Sequence, residues 1–129
     1  MNSPQVPPSV LQFVAERIDS VPQLEALLLL WESPQRAWTE EELAGRIYVS
    51  RQIAAQTLQA LQRQNLVVAE PAEPPCYRYN PQWDPSGQVM PEVAAAYRRH
   101  LVQLATFIHS RASTAVREFA RAFDLKKDR

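Results

Sequence analysis

The sequence predicts a mainly α-helical fold with a small β-hairpin and a long C-terminal helix, and three observations support that prediction. Hydroxyl residues followed three positions later by Glu or Gln, the spacing of a helix N-terminal capping box, occur at Ser9, Ser20 and Thr39. Residues 35–70 and 92–129 contain no proline, so both blocks are free to form helices. Within the first block, the strand-forming run that follows Asn65 favours a hairpin rather than a further helix.

Composition limits the class of protein and its compartment. At 129 residues, 46% of them hydrophobic, the chain is long enough for one compact domain with a substantial core. Cys76 is the only cysteine, which excludes an intramolecular disulfide and favours a reducing compartment. The longest apolar run, residues 26–31, is far shorter than the roughly 20 residues that cross a bilayer. We therefore expect a soluble cytoplasmic protein that does not enter a membrane.

The first part of the chain should supply two core helices. Residues 1–8 are rich in proline, and we expect a flexible N-terminus there. A helix over residues 9–18 should follow; its expected buried residues are Val10, Phe13, Val14 and Ile18. Residues 22–32 are apolar nearly all round, which predicts a central core helix, with a partner-binding surface as the alternative. A short first strand is expected at residues 37–38.

Residues 39–65 predict two helices joined by a tight turn. Thr39 and Glu42 form the capping box that begins the first helix. Its apolar stripe is Leu43, Ala44 and Ile47. A turn at residues 48–49 leads to Ser50, the expected N-cap of the second helix. The residues of the second helix expected to face inward are Ala54, Leu58 and Leu61. Asn65 tolerates the left-handed conformation that closes many helices and should end this one.

A hairpin is expected next, with strands at residues 66–70 and 76–80. Two tyrosines of the second strand alternate with Arg78 and should face the core: Tyr77 and Tyr79. The connection between the strands is acidic, because it carries Glu70 and Glu73. Carboxylates repel phosphates, so we expect this tip to stay away from any nucleic-acid backbone and to leave Arg78 as the only basic residue of the hairpin.

Residues 39–67 resemble the winged helix-turn-helix domain of bacterial transcriptional regulators. They follow the pattern T-x-x-E-L-A-x-x-I-x-V-S-x-x-x-A-x-x-x-L-x-x-L-x-x-x-N-L-V, and with the hairpin the resemblance covers about a third of the chain. Members of that family usually carry glycine where this chain has Tyr48 and Asn65, so the sequence departs from the pattern at both turns. The resemblance implies a winged helix-turn-helix domain over residues 9–80.

The resemblance also implies a DNA-binding site. The helix over residues 50–64 would enter the major groove as the recognition helix. Its outward side chains are expected to be Arg51, Gln52, Ala55, Gln56 and Gln59. Arg and Gln can each bond a base edge with two parallel hydrogen bonds, while Ser50, Arg46 and Arg78 would contact the phosphate backbone. The alternative for each of these residues is an ordinary solvent-exposed position.

The C-terminal segment is predicted to form a dimer. Residues 81–90 are an expected linker, and apolar residues then recur every three or four positions from residue 93 to about residue 122. A single helix over residues 91–124 would be some ~50 Å long at 1.5 Å per residue, longer than the domain is wide. Residues 91–129 are therefore expected to pair with a second copy, so that the homodimer reads a palindromic site. The alternative is two shorter helices, broken near residues 110–113 where Ser and Thr weaken a helix.

Charge favours a second hypothesis. The chain has 14 basic and 14 acidic residues, and the positive excess lies in residues 91–129, which hold 8 Lys and Arg against 4 Asp and Glu. Residues 37–80 hold 4 against 5, whereas a DNA-binding domain normally gathers basic residues. A winged-helix module that binds a protein partner without tight DNA binding is therefore the alternative to a sequence-specific regulator.

Catalytic and metal sites are not predicted. The two histidines lie nine positions apart, off the spacing that places two ligands on one helical face, and Cys76 has no second cysteine beside it. The acidic run at residues 40–42 is explained by the favourable interaction of anions with a helix N-terminus. We expect no enzymatic activity, no cofactor and no metal; the expected partners are double-stranded DNA and a second copy of the chain, with a protein partner as the alternative.

Overall fold

The computed structural model describes residues 5–110 of the chain. Helix α1 spans Pro8–Arg17 and helix α2 spans Val21–Glu32. Strand β1, Trp38–Thr39, leads directly into helix α3, Glu40–Ile47. Helix α4 follows after a tight turn and spans Arg51–Arg63. These elements occur in the predicted order, and their ends lie within one or two residues of the predicted positions.

A hairpin and two further helical segments complete the described chain. Strands β2, Val67–Glu70, and β3, Cys76–Tyr79, are followed by a single 3₁₀ turn at Pro81–Trp83. Helix α5 spans Val89–Arg99. Residues 101–110 are helical again, and we refer to them as α6.

The three strands form one antiparallel sheet in the order β1-β3-β2. Trp38 lies opposite Tyr77, and Val67 lies opposite Tyr79. Both tyrosines are buried, at 7% and 5% exposure, which confirms that they face the core. The sheet therefore ties the hairpin to the strand that begins α3.

Helix α2 lies at the centre of the core, as predicted. It packs against α3, α4, α5 and β3, and Leu24, Leu27 and Leu30 are at most 1% exposed. Leu29 and Trp31 are only partly buried, so one side of α2 still faces the surface. The predicted inward residues of α4 are all fully buried: Ala54, Leu58 and Leu61.

The linker between the hairpin and α5 is held by two contacts with other elements. Trp83 stacks on Phe13 of α1, with ring centroids 5.1 Å apart. The buried Asp84 carboxylate accepts hydrogen bonds from the backbone N–H groups of Val89 and Met90, at 3.1 and 3.3 Å. Because Asp84 supplies an acceptor for these first amides, α5 begins at Val89, two residues before the predicted start at Pro91.

The capping box predicted at Ser9 is wrong. Helix α1 begins at Pro8, so Ser9 lies inside the helix and does not cap it; Ser9 Oγ donates a hydrogen bond to Glu92 Oε1 of α5 at 2.9 Å. Proline at the first helical position needs no amide partner, which explains a start without the capping box. The flexible segment expected over residues 1–8 stays a prediction; within it, Val6 is buried at 8% exposure. Residues 1–4 lie outside the described range.

The prediction of one unbroken helix from residue 91 is wrong at His100. This residue has φ −134° and ψ 40°, so α5 ends before it and α6 begins after it. The break lets Leu104 and Ile108, at 0% and 1% exposure, pack into the core of their own domain instead of continuing the line of α5. It falls about ten residues before the break that was the alternative, and residues 111–129 lie beyond the described part.

Candidate nucleic-acid interface

Two side-chain caps fix the starts of α3 and α4, and one left-handed residue lies in the turn between them. The N–H of Glu42 donates to Thr39 Oγ1 at 3.1 Å while the N–H of Thr39 donates to Glu42 Oε1 at 3.0 Å, so the predicted capping box is present. Ser50 Oγ accepts a hydrogen bond from the N–H of Ile53 at 3.1 Å and caps α4. Tyr48 between them has φ 60° and ψ 47°, in the left-handed region. The turn therefore has the geometry that glycine usually supplies, although tyrosine occupies the position.

Helix α4 has one buried and one exposed face. Ala54, Leu58 and Leu61 lie in the core, and Thr57 beside them is only 4% exposed. The opposite face is polar and exposed, and it consists of Gln52, Gln56, Gln59 and Arg63, at successive steps of four, three and four residues. Ala55 at the edge of this face is half-buried, and Arg51 is exposed at the first position of the helix. The structure thus brings the predicted α4 residues together on one side.

Two of the predicted arginines, Arg51 and Arg78, contact carboxylates. Arg51 Nε lies 3.7 Å from Glu40 Oε1 of α3, and their side chains are 68% and 24% exposed. Arg78 Nη2 on β3 contacts both oxygens of Glu70 on β2, at 2.5 and 3.0 Å. Both guanidinium groups are therefore partly neutralised within the chain.

Arg46 lies on a different surface from the α4 face. Its guanidinium carbon is 5.3 Å from the ring centroid of the buried Trp38, and Arg36 lies 3.5 Å from the same centroid. Arg46 also lines a groove of about 320 Å³ between α2, α3 and α5. In that groove Tyr97 donates a hydrogen bond to Glu25 Oε2 at 2.9 Å.

The hairpin presents an acidic tip. The connection between β2 and β3, residues 71–75, is exposed throughout and contains Glu73.

Inside the hairpin, burial raises the pKa of Tyr79 to about 12, and the charge of Asp84 adds to the rise. Burial also raises the pKa of Tyr77, with a contribution from Glu40. Both tyrosines are therefore neutral structural groups at physiological pH, with their rings in the core and not available for stacking on a base.

Comparison with solved structures identifies this arrangement. YusO from Bacillus subtilis matches with a TM-score of 0.54 at 17% identity, over 89% of this chain and 84% of its own. A MarR family protein from Bacillus stearothermophilus matches with a TM-score of 0.51 at 16% identity, over 93% and 83%. A further structure, described as a MarR family transcription regulator, gives 0.52 at 19% identity over 94% and 83%. The chain has a winged helix-turn-helix fold. No family model and no curated protein matches its sequence.

In winged-helix terms, α3 and α4 are the helix-turn-helix, and β2 and β3 form the wing. The likeness to these structures is one of fold, and the predicted fold class is confirmed by it. Within residues 5–110, no helix combines the length and apolar character needed to cross a membrane. The same residues contain no cluster of three or more His, Cys, Asp or Glu side chains that could hold a metal ion.

Two exposed residues of this winged helix were missed by sequence reasoning. Ile53 in the first turn of α4 is 43% exposed, and an apolar side chain there suits the methyl group of thymine. The signal was present, because residue 53 falls outside the inward spacing of Ala54 and Leu58. Arg36 lies over Trp38 and 3.6 Å from Glu42 Oε2. Its position ahead of β1 gave no pattern from which to find it.

Proposed function

We propose that this protein is a transcriptional regulator that binds DNA sequence-specifically as a homodimer, with α4 as the recognition helix in the major groove. The observation that supports this most is the exposed polar face of α4, where Gln52, Gln56 and Gln59 are aligned opposite a fully buried apolar face. A helix that is firmly packed on one side and polar on the other can present base-reading side chains in a defined orientation.

Each residue of this face has a role that its chemistry allows. Arg51 would bond the O6 and N7 atoms of guanine, and Gln52 and Gln56 would bond the N6 and N7 atoms of adenine. Ile53 would contact a thymine methyl group. Ser50 and Arg78 would hold phosphates on either side of the groove. Gln59 would border the groove one turn further along α4, and Ala55 would lie beside Gln56, whereas Arg46 lines the groove between α2, α3 and α5.

The homodimer would form through the C-terminal helices. Leu101 and Val102 on α6 are 44% and 77% exposed, although they follow a helix that packs on its own domain. Covering them with the same residues of a second copy would form a two-fold interface. The solved structure described as a MarR family transcription regulator supports the regulatory role. A two-fold dimer would place two α4 helices one duplex turn apart, ~34 Å. The protein would act in the cytoplasm by binding DNA and would not catalyse a reaction.

The test is sequence discrimination by α4. Fluorescence anisotropy would compare a duplex selected from a random pool with a scrambled duplex of the same length and composition. We expect Arg51→Ala and Gln56→Ala each to reduce the preference for the selected duplex by about 1–3 kcal/mol. Gln62→Ala is the matched control, since Gln62 is exposed on the same helix but off the polar face. If wild-type protein binds no duplex even at low salt, the proposed function is wrong.

A protein-interaction module is the second candidate, because the cations of the interface are already paired and the wing tip is acidic. Such a module would need no DNA, and the exposed Leu101 and Val102 would bind a protein partner instead of a second copy. Two results together would favour it: a monomeric protein in light scattering and no duplex binding at any salt concentration.

A further inference from the structure

Three arginines of the winged helix each contact a carboxylate of the same chain. The pairs are Arg51 with Glu40, Arg78 with Glu70, and Arg36 with Glu42, at nearest N···O distances of 3.7, 2.5 and 3.6 Å. Two of these arginines, Arg51 and Arg78, belong to the proposed DNA interface. Residues 36–80 contain five Arg and five Glu, so no excess positive charge remains in this region.

In both interface pairs the carboxylate side chain is less exposed than the arginine; for Glu70 and Arg78 the exposed fractions are 34% and 43%. Glu40 is the first residue of α3, where the helix N-terminus favours a negative charge, and its side chain is 24% exposed against 68% for Arg51. Glu70 lies opposite Cys76 in the sheet, while Arg78 lies opposite Val68, so Glu70 and Arg78 are diagonal neighbours on the outer face of the wing. Both arginines are thus drawn toward carboxylates that belong to neighbouring elements.

This pairing changes how the protein would attract DNA. A free arginine that neutralises a phosphate releases a condensed counterion, and that release supplies most of the sequence-independent affinity. An arginine already paired with a carboxylate must first give up that partner, which offers the same kind of charge-assisted hydrogen bonds as a phosphate. The carboxylate then remains beside the duplex and repels it. Contacts from glutamine to base edges do not involve this exchange.

Building on the proposed function, we propose that Glu40 and Glu70 are specificity-determining residues: they hold Arg51 and Arg78 in ion pairs that suppress phosphate contacts with arbitrary DNA, and Arg51 exchanges Glu40 for a guanine edge only in the selected site. Removing either carboxylate should strengthen binding to any duplex and weaken the preference for the selected one.

The experiment measures binding to the selected and scrambled duplexes over a series of salt concentrations. The variants are Glu40→Gln and Glu70→Gln, with Glu41→Gln and Glu73→Gln as matched controls. Glu41 follows Glu40 in the same helical turn and Glu73 lies in the wing tip; both are exposed and form no ion pair with another residue of the described range. The controls remove the same charge from the same regions without releasing an arginine.

We expect Glu40→Gln and Glu70→Gln to tighten binding to the scrambled duplex roughly threefold to tenfold at low salt. The slope of log K against log salt should steepen by about one, as for one added phosphate contact. Binding to the selected duplex should tighten less, so the specificity ratio falls. Glu41→Gln and Glu73→Gln should produce less than half of the gain in affinity.

A double-mutant cycle separates pairing from simple repulsion. If Glu70 acts by holding Arg78, the gain from Glu70→Gln should disappear in an Arg78→Gln background. If Glu70 only repels phosphates, the gain should persist in that background, and the proposal is wrong. Circular dichroism establishes that each variant is folded, and Glu40 and Glu70 are tested separately so that either one can decide.

The outcomes also separate this inference from the proposed function. Wild-type discrimination with equal gains from all four glutamine variants would overturn the inference and leave the regulator intact. Wild-type discrimination, with a gain from Glu40→Gln or Glu70→Gln at least twice that of its matched control, would support the inference. If no variant binds any duplex at low salt, the proposed function fails and the inference fails with it.

Discussion

The helix-turn-helix and the C-terminal helices take their structure from different sources. In residues 39–65, neighbouring residues determine each helix end: the capping box of Thr39, the cap of Ser50 and the left-handed Asn65, with φ 61°. In residues 81–110, Asp84 sets the start of α5 locally, but the linker and the helix after His100 are held by distant contacts: the stacking of Trp83 on α1 and the burial of Leu104 and Ile108. The helix ends of the proposed DNA-reading region are therefore determined by neighbouring residues, whereas the region proposed to pair two copies depends on contacts with the packed domain.

The largest expected effect comes from the core beneath the recognition helix. Leu58 is fully buried, and Leu58→Ala should lower the free energy of unfolding by about 2–5 kcal/mol. Urea unfolding followed by circular dichroism measures the change. Gln62→Ala on the exposed side of α4 should change stability by less than about 0.5 kcal/mol. A cost below about 1 kcal/mol for Leu58→Ala would contradict the packed interface described for α4.

The next effect concerns the C-terminal helices. Replacing Leu101 and Val102 together by Glu should raise the dissociation constant of the dimer at least about tenfold, because two charges would enter an apolar contact. Sedimentation velocity measures this. Gln103→Glu adds a charge at an exposed position of the same helical turn and should have little effect. A wild-type protein that stays monomeric at high micromolar concentration would show that the C-terminal region does not pair.

Capping tests the contrast between local and distant determinants directly. Thr39→Ala removes a complete capping box and should cost about 1 kcal/mol of stability. Ser9 has the same sequence spacing but caps no helix, so Ser9→Ala should cost less than about 0.5 kcal/mol. Thermal unfolding of both variants gives the comparison. Equal losses of stability in Thr39→Ala and Ser9→Ala would contradict the difference in capping between Thr39 and Ser9.

The smallest effect lies where α5 of the C-terminal region packs on α2. Burial, followed by the hydrogen bond to Glu25, raises the pKa of Tyr97 to about 12 from 10.0. Between these values the unfolded chain loses a proton that the folded chain keeps, so the free energy of unfolding falls as pH rises. The contribution of Tyr97 to the free energy of unfolding is fully present below pH 10.0 and is lost as the pH rises through about 12.

Tyr97→Phe removes this titration, so its stability should fall less steeply than that of wild type over the same pH range. Urea unfolding at several pH values between 10 and about 12 measures both slopes. Tyr79, whose pKa is also raised to about 12, remains in both proteins and serves as the internal background. Identical slopes would show that the Tyr97 hydroxyl keeps its ordinary pKa.

Much of the helix-turn-helix could be predicted because its signals are close in sequence. The apolar spacing of Ala54, Leu58 and Leu61 predicted the buried face of α4, and its complement predicted the exposed face. Thr39 and Ser50 predicted the two helix starts. Wherever a side chain caps the helix that it begins, residue type and spacing are sufficient.

The remaining features depend on side chains that meet only in the folded chain. The break at His100 has no proline or glycine to mark it; it follows from the burial of Leu104 and Ile108. The capping box expected at Ser9 is absent because α1 begins at Pro8, and the Ser9 hydroxyl donates to Glu92 of α5. The pairing of Arg51 with Glu40 joins the first residues of two helices, and no periodicity within either helix predicts such a contact.

The most direct test of DNA reading by α4 is selection of bound sequences from a random duplex pool. We expect enrichment of a palindrome whose half-site centres lie about 10 bp apart, because the two α4 helices of a dimer would face one side of the duplex. Repeating the selection with Gln52→Ala and Gln56→Ala should relax the preference at adenine positions within each half-site. No enrichment over the input pool, or enrichment that the two variants leave unchanged, would contradict the claim that α4 reads DNA.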